Sequence, residues 1–248
     1  MSERTFALMG SGEFDPWSGA VDRWVLDRAR SDGPILILPT ASAPEGDDVF
    51  EGWADKGRRH FAEARIAAEV LPLKTRDDAS RVDLVARLED ACAVYFSGGN
   101  PWYLAETLRA SPFLEAMTDA MDRGLGYVGC SAGVACLTEM TYDAATDDFE
   151  QVFKPGLGLV KRMLFGPHWD IVDTWIPGAT EMIVGSVRDG ETFVGIDETT
   201  AILGDGRSWT VAGTAGVHIR RDGEWAHHRD GDVFELVFSG FEAEAEPA

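Results

Sequence analysis

The sequence predicts an α/β protein built on a mostly parallel sheet that helices cover on both faces. Short, continuously apolar segments recur through the first half of the chain, and amphipathic segments with helical spacing separate them. Strands of a parallel sheet are buried on both faces and therefore read as unbroken apolar runs. The alternation of such strands with helices is typical of this fold class.

The predicted elements follow one another in a regular order. The strands, in chain order, are TFALMG, PILILPTAS, RIAAEVLPL, ACAVYFSGGN and GLGYVG. Each contains or adjoins a glycine or proline, which limits its length. The clearest helices are predicted for residues 20–30 and 82–88, and the first has an apolar face at Val21, Trp24 and Val25. Spacings of three and four residues place these side chains on one side of a helix.

Length and composition fit a single domain. A chain of 248 residues with 45% hydrophobic content can bury a full core without disulfides or a structural metal. We expect one α/β domain over residues 1–240, and no internal repeat is visible. Residues 241–248, FEAEAEPA, have the small and acidic composition of a frayed end.

The charge of the chain argues against polyanionic partners. The 43 aspartates and glutamates outnumber the 22 lysines and arginines, which gives a formal net charge of −21. Such a charge repels nucleic-acid phosphates and anionic lipid surfaces. We therefore expect no nucleic-acid partner and no membrane partner, while the sequence leaves open whether the chain forms a homodimer.

The cysteines indicate a reducing compartment. Cys92, Cys130 and Cys136 are odd in number and stand in apolar surroundings, as reduced core thiols of cytosolic proteins do.

The apolar run at residues 6–9 is far shorter than the core of a signal peptide, and no later segment is apolar enough to span a membrane. We expect a soluble, cytoplasmic protein.

One pentapeptide after the fifth predicted strand carries the strongest chemical signal. Residues 129–133 read Gly-Cys-Ser-Ala-Gly, which fits the G-x-S-x-G turn that lifts a nucleophile above a sheet edge. The glycines are centred on Ser131, because the same test centred on Cys130 finds Val128 and Ala132. Ser131 is therefore the candidate nucleophile, and Cys130 is predicted to pack beneath it. A small-residue turn without chemistry is the alternative.

A serine nucleophile needs a base within hydrogen-bond distance, and His168 is the best candidate among five histidines. It follows a Gly-Pro turn between two apolar segments, which places it on a loop. His60, His227 and His228 stand in charged or polar segments and are predicted to be solvated, whereas His218 lies in an alternating, strand-like run. A structural role for His168 is the alternative.

Cofactor motifs fail on inspection. The segment GSGEFD at residues 10–15 begins like a dinucleotide fingerprint but has Asp15 where the third glycine belongs. A phosphate-binding G-x-x-x-x-G-K-[ST] motif is missing from the sequence, and the adjacent His227 and His228 are typical of an exposed turn. We expect neither a cofactor nor a metal, since serine chemistry needs none.

Four segments carry a family resemblance. FSGGNPWYLAETL, GCSAGVACL, GLGLV followed by PHW, and VGIDETTAIL occur in an order that resembles the dipeptidase E and cyanophycinase family of serine peptidases. The similarity extends over nearly the whole chain, to about Gly213. It implies a three-layer α/β/α sandwich of the flavodoxin-like type found in class I glutamine amidotransferases. It also implies a Ser-His-Glu triad, whereas amidotransferases use a cysteine at the elbow.

The resemblance implies a role for individual residues. Ser131 would be the nucleophile, His168 the general base and Glu198 the carboxylate that orients the imidazole. Asp197 would point to the opposite face if the segment is extended. The acidic stretch between Ser131 and His168 is a rival source of the third member, although a solvated loop is its simpler interpretation. The rival residues are Asp143, Asp147, Asp148 and Glu150.

Backbone and neighbouring side chains complete the predicted site. The oxyanion that forms during acyl transfer needs two N–H donors, and those of Ala132 and Gly99 are predicted to supply them. The candidate substrate-binding residues are Asn100, Trp102, Trp169 and Asp170. The resemblance therefore implies a serine peptidase of exopeptidase type that hydrolyses short peptides or an amide-linked polymer. The alternative is a non-catalytic or small-molecule-binding protein that keeps the fold.

Two groups of residues bear on specificity. Trp102, Trp169 and Trp175 fall near the site motifs and would suit an apolar or amphipathic substrate, with ordinary packing as an equal alternative. Asp170 and Asp173 stand where relatives tend to carry arginine. Their charge is predicted to disfavour an acidic substrate side chain and to favour a neutral or basic one. The alternative is that both carboxylates point into solvent.

Overall fold

The computed structural model describes residues 4–146, 148 and 151–240. The predicted tail at residues 241–248 lies outside this part of the chain, and the single domain over residues 1–240 stays a prediction. The strands, in chain order, are β1 (Thr5–Met9), β2 (Ile35–Leu38), β3 (Ala68–Val70), β4 (Ala93–Phe96), β5 (Gly126–Cys130), β6 (Met140–Tyr142), β7 (Phe153–Pro155), β8 (Met163–Pro167), β9 (Thr192–Ile196), β10 (Thr200–Gly204), β11 (Ser208–Gly213), β12 (Gly216–Arg221), β13 (Glu224–Arg229) and β14 (Val233–Glu235).

Helices connect most of the parallel strands. The α-helices are α1 (Gly19–Leu26), α2 (Asp47–Ala64), α3 (Val82–Asp90), α4 (Pro101–Leu108), α5 (Pro112–Asp122), α6 (Ala132–Ala135), α7 (Val172–Trp175) and α8 (Ala179–Gly185). Short 3-10 segments lie at Pro16–Ser18, Thr40–Glu45 and Asp78–Ser80. In the part of the chain that the structure describes, no helix combines the length and the apolar character that crossing a bilayer requires.

The central sheet has eight strands in the order β14-β11-β10-β1-β5-β4-β2-β3. The five strands from β1 to β3 in this order run parallel, as the apolar runs predicted. The other three, β10, β11 and β14, extend the sheet in antiparallel fashion. The sheet is therefore mostly parallel, with an antiparallel edge.

Each face of the central sheet packs against its own set of helices. Strand side chains point alternately to the two faces. Met9 and Tyr95 belong to a buried cluster that includes α1 and α2, whereas their chain neighbours Leu8 and Phe96 belong to a second cluster with α3, α4 and α5. These layers confirm the predicted three-layer α/β/α sandwich.

A second sheet of four strands, in the order β13-β12-β9-β8, brings two distant segments together. The sequence pattern did not predict it. Its strands β8 and β9 pair in parallel, from Met163 with Thr192 to Pro167 with Ile196. The residues that follow the two strands therefore leave the sheet at the same edge, because parallel strands share the direction of their carboxyl ends.

A largely buried hydrogen bond joins α1 to α2. Nε2 of His60 in α2 lies 2.6 Å from Oδ2 of Asp22 in α1, and the Asp22 side chain is 1% exposed. Burial raises the pKa of the Asp22 carboxyl, although the hydrogen bond and charge of His60 act in the opposite direction. The prediction that His60 is a solvated surface residue is therefore wrong, because its side chain is 11% exposed and hydrogen-bonds to a buried carboxyl group that needs a partner.

Candidate active site

Ser131 stands at a sharp turn between β5 and α6. Its φ of 50° lies in the left-handed region, which is strained for a residue with a side chain. Its N–H donates to the carbonyl of Met9 at 3.0 Å. A Cβ on Gly129 would lie 2.4 Å from the Gly133 carbonyl oxygen, and one on Gly133 would lie 2.8 Å from that of Phe96. Both glycines are therefore required by close backbone contacts.

Cys130 is buried beneath this turn and contacts a carboxylate that no motif indicated. Its thiol donates to Oε2 of Glu13 at 2.9 Å, and Oε1 of Glu13 accepts the N–H of Gly98 at 2.7 Å. Burial, with the charge of Glu13, raises the pKa of the Cys130 thiol well above its ordinary value. The thiol is therefore protonated and is a poor nucleophile. The sequence signal that could have indicated this contact is the position of Glu13, an acidic residue in the glycine-containing turn after the first strand.

Two consecutive hydrogen bonds connect Ser131, His168 and Glu198. Nε2 of His168 is 2.8 Å from Oγ of Ser131, and Nδ1 is 3.0 Å from Oε1 of Glu198. His168 follows β8 with a φ of 55°, and Glu198 follows β9 at residue 196 by two positions. The sheet edge shared by β8 and β9 thus brings the histidine and the carboxylate to the turn after β5.

Asp170 holds the segment that carries Glu198. Its Oδ1 accepts the backbone N–H of Glu198 at 2.9 Å, and the N–H of Trp169 donates to the carbonyl of Ile196 at 3.2 Å. These two bonds join the segment after His168 to the segment after β9. The Asp170 carboxylate therefore has an observed partner within the protein, while its predicted contact with substrate stays a prediction.

Asp197 points away from His168. Its Oδ2 accepts the N–H of Gly216 at 2.9 Å, and Nε2 of His218 lies 3.0 Å from both of its oxygens. Nδ1 of His218 is in turn 2.8 Å from Nδ1 of His227. In the described part of the chain, no three or more His, Cys, Asp or Glu side chains are grouped as a metal site. We call Asp197 with His218 and His227 the second histidine pair, to distinguish it from His168 with Glu198.

The predicted oxyanion donors are available. Gly99 lines the same cavity as Ser131, and Ala132 directly follows the serine. Among the described residues, neither N–H donates to a protein acceptor, whereas that of Gly98 is bound by Glu13. A Cβ on Gly99, which has a φ of 136°, would lie 2.4 Å from the backbone carbonyl of residue 41. Their role as oxyanion donors stays a prediction.

A cavity of about 350 Å³ opens beside Ser131 and His168. This volume is at the small end of the range for ligand-binding sites. Most of its walls are apolar, and they include Val152, Phe153, Val172, Trp175, Ile176 and Ile183. The ring centroid of Trp175 lies 4.9 Å from that of His168. Of the three tryptophans near the site motifs, Trp175 is thus the one beside the imidazole.

Three other predicted substrate-binding residues have partners within the protein. Oδ1 of Asn100 caps α4 by accepting the N–H of Trp102 at 3.0 Å, and its Nδ2 donates to Oδ1 of Asp143 at 2.6 Å. The ring of Trp169 packs against Phe193, with centroids 4.5 Å apart. Asn100, Trp102 and Trp169 do not line the cavity within the described residues. Their contact with substrate stays a prediction.

The rival acidic stretch does not supply a partner of His168 where the structure describes it. Asp143 lines the cavity, but its Oδ1 accepts hydrogen bonds from an asparagine amide and a backbone N–H. Asp148 accepts a hydrogen bond from the side chain of Gln151. Asp147 and Glu150 lie outside the described residues.

A family model agrees with this geometry. The model of peptidase family S51 matches residues 6–212, which is most of the chain. The chain belongs to peptidase family S51. This is a family of serine-type peptidases, and the resemblance seen in the sequence motifs is confirmed.

Individual proteins agree with the S51 assignment. Peptidase E of Streptomyces coelicolor is 37% identical over 103 residues, which cover 40% of this chain and 39% of that protein. The match therefore spans well under half of that relative. A crystal structure of a peptidase from an acI-B1 Actinobacterium is 27% identical, with a TM-score of 0.84, and the alignment covers 95% of this chain and 99% of that chain.

A further solved structure shares the fold. A protein of Listeria monocytogenes EGD-e is 17% identical and has a TM-score of 0.59, with 91% of this chain and 98% of that chain covered. At this level of identity the likeness concerns architecture. Together with the closer match above, it supports the class I glutamine amidotransferase-like fold.

Proposed function

We propose that this S51 protein hydrolyses amide bonds in short peptides, with Ser131, His168 and Glu198 as its catalytic triad. One observation carries the proposal: an unbroken line of hydrogen bonds of 2.8 Å and 3.0 Å that runs from the hydroxyl through the imidazole to the carboxylate. The strained serine backbone and the cavity at this point support the same chemistry. Family membership supports it independently.

The proposed reaction requires a particular protonation state of each of these groups. An ionised carboxylate can accept but not donate, so Nδ1 of His168 carries a proton that it donates to Glu198. Nε2 is then unprotonated and accepts the Ser131 hydroxyl. When Oγ of Ser131 bonds to the substrate carbonyl carbon, its proton moves to Nε2, and the Glu198 carboxylate stabilises the imidazolium that forms.

The remaining steps use the same groups. The negative charge that develops on the carbonyl oxygen is held by the N–H groups of Gly99 and Ala132. The C–N bond then breaks, and the Nε2 proton of His168 passes to the leaving amine. A water molecule attacks the acyl-serine ester with His168 as base, which releases the new carboxylic acid and restores the Ser131 hydroxyl.

Covalent labelling tests this proposal directly. A fluorophosphonate probe should label the wild-type protein at Ser131, and Ser131→Ala should abolish labelling. Cys130→Ala is the matched control at the neighbouring position and should be labelled like the wild type. A screen with a library of short peptides should then find cleaved sequences. A folded wild-type protein that is neither labelled nor able to cleave any peptide would support the alternative of a non-catalytic binding protein.

A further inference from the structure

The cavity beside the triad has an apolar lining that bond cleavage itself does not require. This lining includes Val172, Ile176 and Ile183, on and around α7 and α8, together with Val152 and Phe153. A lining of this kind cannot form hydrogen bonds with substrate. Its contribution to binding therefore comes from removing apolar substrate surface from water.

Two large apolar side chains at this cavity are exposed. Trp175 is 57% exposed and Ile176 is 40% exposed, although most side chains of this size are buried in a folded core. Both line the cavity, and the Trp175 ring is in contact range of His168. Exposed apolar side chains grouped at a concave site mark a place where a ligand packs. An apolar substrate group would cover them.

The charged groups of the cavity are unsuited to an acidic substrate side chain. No arginine or lysine lines it among the described residues, and the acidic side chain that lines it is Asp143. Burial raises the pKa of the Tyr142 phenol to about 12, so this lining group is neutral. A carboxylate that enters would lose hydration without gaining a guanidinium partner and would face Asp143.

The two acidic residues that the sequence implicated in this discrimination have other partners. Asp170 accepts the Glu198 N–H, and both oxygens of Asp173 accept hydrogen bonds from Thr180 at the start of α8. Neither carboxylate lines the cavity within the described residues. Discrimination against acidic side chains therefore rests on Asp143 and the apolar lining. The lining also favours an apolar side chain over a basic one.

We infer that this cavity binds an apolar side chain adjoining the scissile bond, so that the enzyme prefers leucine or phenylalanine there and rejects aspartate. The inference rests on the proposed function, because it concerns the same site. It assigns the substrate class as short peptides with a bulky aliphatic or aromatic residue beside the bond that is cut.

Steady-state kinetics on two dipeptide series tests the preference. The series are Xaa-Ala and Ala-Xaa, with leucine, phenylalanine, alanine or aspartate as Xaa, so that either side of the bond can face the cavity. In one series, kcat/KM for leucine or phenylalanine should exceed that for alanine by on the order of tenfold or more, and aspartate should be the poorest. Aspartate equal to or better than leucine in both series would overturn the inference.

Two arginine substitutions at adjacent positions of α8 locate the effect. Ile183 lines the cavity, whereas Val184 lines a separate surface depression with Trp169 and Trp225. Ile183→Arg should lower the ratio of leucine to aspartate hydrolysis by on the order of tenfold or more. Val184→Arg is the matched control and should leave the ratio unchanged. Equal effects of the two arginines would contradict a cavity-based preference.

Two further measurements separate failure of this inference from failure of the proposed function. Fluorophosphonate labelling of each variant reports whether its triad is intact. It therefore also reveals whether an arginine in α8 has disturbed the triad. Calorimetric titration of Ser131→Ala with Leu-Ala, Ala-Leu and their aspartate counterparts reports selection without turnover, and the preferred ligand should bind with a negative heat-capacity change. Normal labelling with no preference in either assay rejects the inference alone. Absent labelling rejects the proposed function, while the titration still decides which side chain the cavity selects.

Discussion

Two histidine–carboxylate pairs take their carboxylates from adjacent residues of one chain. Glu198 lies 3.0 Å from Nδ1 of His168, and Asp197 lies 3.0 Å from Nε2 of His218. The two pairs are alike in chemistry and in distance. They differ in what the far nitrogen of each imidazole meets: the hydroxyl of Ser131 in one, and a second imidazole, that of His227, in the other.

The surroundings of the two pairs differ in exposure and in position. The Glu198 side chain is 35% exposed and contacts the histidine that lines the cavity, whereas the Asp197 side chain is 9% exposed. Asp197 follows β9, His218 lies on β12 and His227 on β13, so the second histidine pair links three neighbouring strands. A histidine beside a carboxylate can act as a catalytic base where a nucleophile and oxyanion donors lie next to it. Elsewhere the same pair satisfies a buried charge.

The largest expected effect separates the serine from its neighbour in the elbow. Ser131→Ala should lower the hydrolysis rate by about 10⁴-fold or more, because triad members act as a unit. Cys130→Ala should leave turnover nearly unchanged, since the thiol is buried and protonated. Peptide hydrolysis and circular dichroism on both variants check this. Loss of turnover in Cys130→Ala with retention in Ser131→Ala would show that the nucleophile is the cysteine.

The next effect separates the two carboxylates. Glu198→Gln should keep the fold and lower kcat by about 10²- to 10⁴-fold, because the imidazole loses the charge that orients it and stabilises its protonated form. Asp197→Asn should change kcat by less than about tenfold, since Asp197 does not contact His168. Steady-state kinetics on the two variants decides. A larger loss in Asp197→Asn would assign the catalytic carboxylate to the second histidine pair.

A stability measurement separates the two histidines. His218→Ala leaves the nearly buried Asp197 without its imidazole partner and should lower the free energy of unfolding by about 1–3 kcal/mol. Fluorophosphonate labelling of Ser131 should persist. His168→Ala should show the reverse: strongly reduced labelling with a smaller change in stability. Urea denaturation and labelling of both variants test the contrast, and loss of labelling in His218→Ala would mean that the pairs are coupled.

The smallest effect concerns α8, which lies between the cavity and the surface at Trp169. Hydrogen bonds from the Thr180 hydroxyl and backbone hold the pKa of Asp173 below its ordinary value. Because the pKa is lowered in the folded state, these bonds stabilise α8 at pH values above the ordinary aspartate pKa. This stabilisation is lost as the pH falls through the lowered pKa. Asp173→Ala should therefore raise amide hydrogen exchange in residues 179–185 at pH 7, and the difference from the wild type should shrink as the pH falls below the ordinary aspartate pKa. Unchanged exchange at pH 7 would show that Asp173 does not stabilise α8.

Several features of the fold and site could be predicted from the sequence because local physics decides them. A strand buried on both faces must be apolar throughout, so the five parallel strands were visible as runs. The glycine-flanked turn at Ser131 could be recognised because the steric constraint that requires glycine acts between neighbours in sequence. A Cβ on Gly129 would collide with the backbone of Gly133, four residues away. Residue patterns indicated Ser131 and His168, and the family resemblance added Glu198; the structure brings the three within hydrogen-bond distance, although their catalytic roles stay predictions.

Other features were decided by tertiary structure alone. Glu13 meets Gly98 across 85 residues and Cys130 across 117 residues, and His60 meets Asp22 across 38 residues. No periodicity or spacing encodes such contacts, because they depend on which strand ends and helix faces the packed layers bring together. The direction of Asp170, toward the Glu198 backbone, belongs to the same class. Side-chain direction in a loop follows from the partners that the fold supplies, and those partners lie far away in sequence.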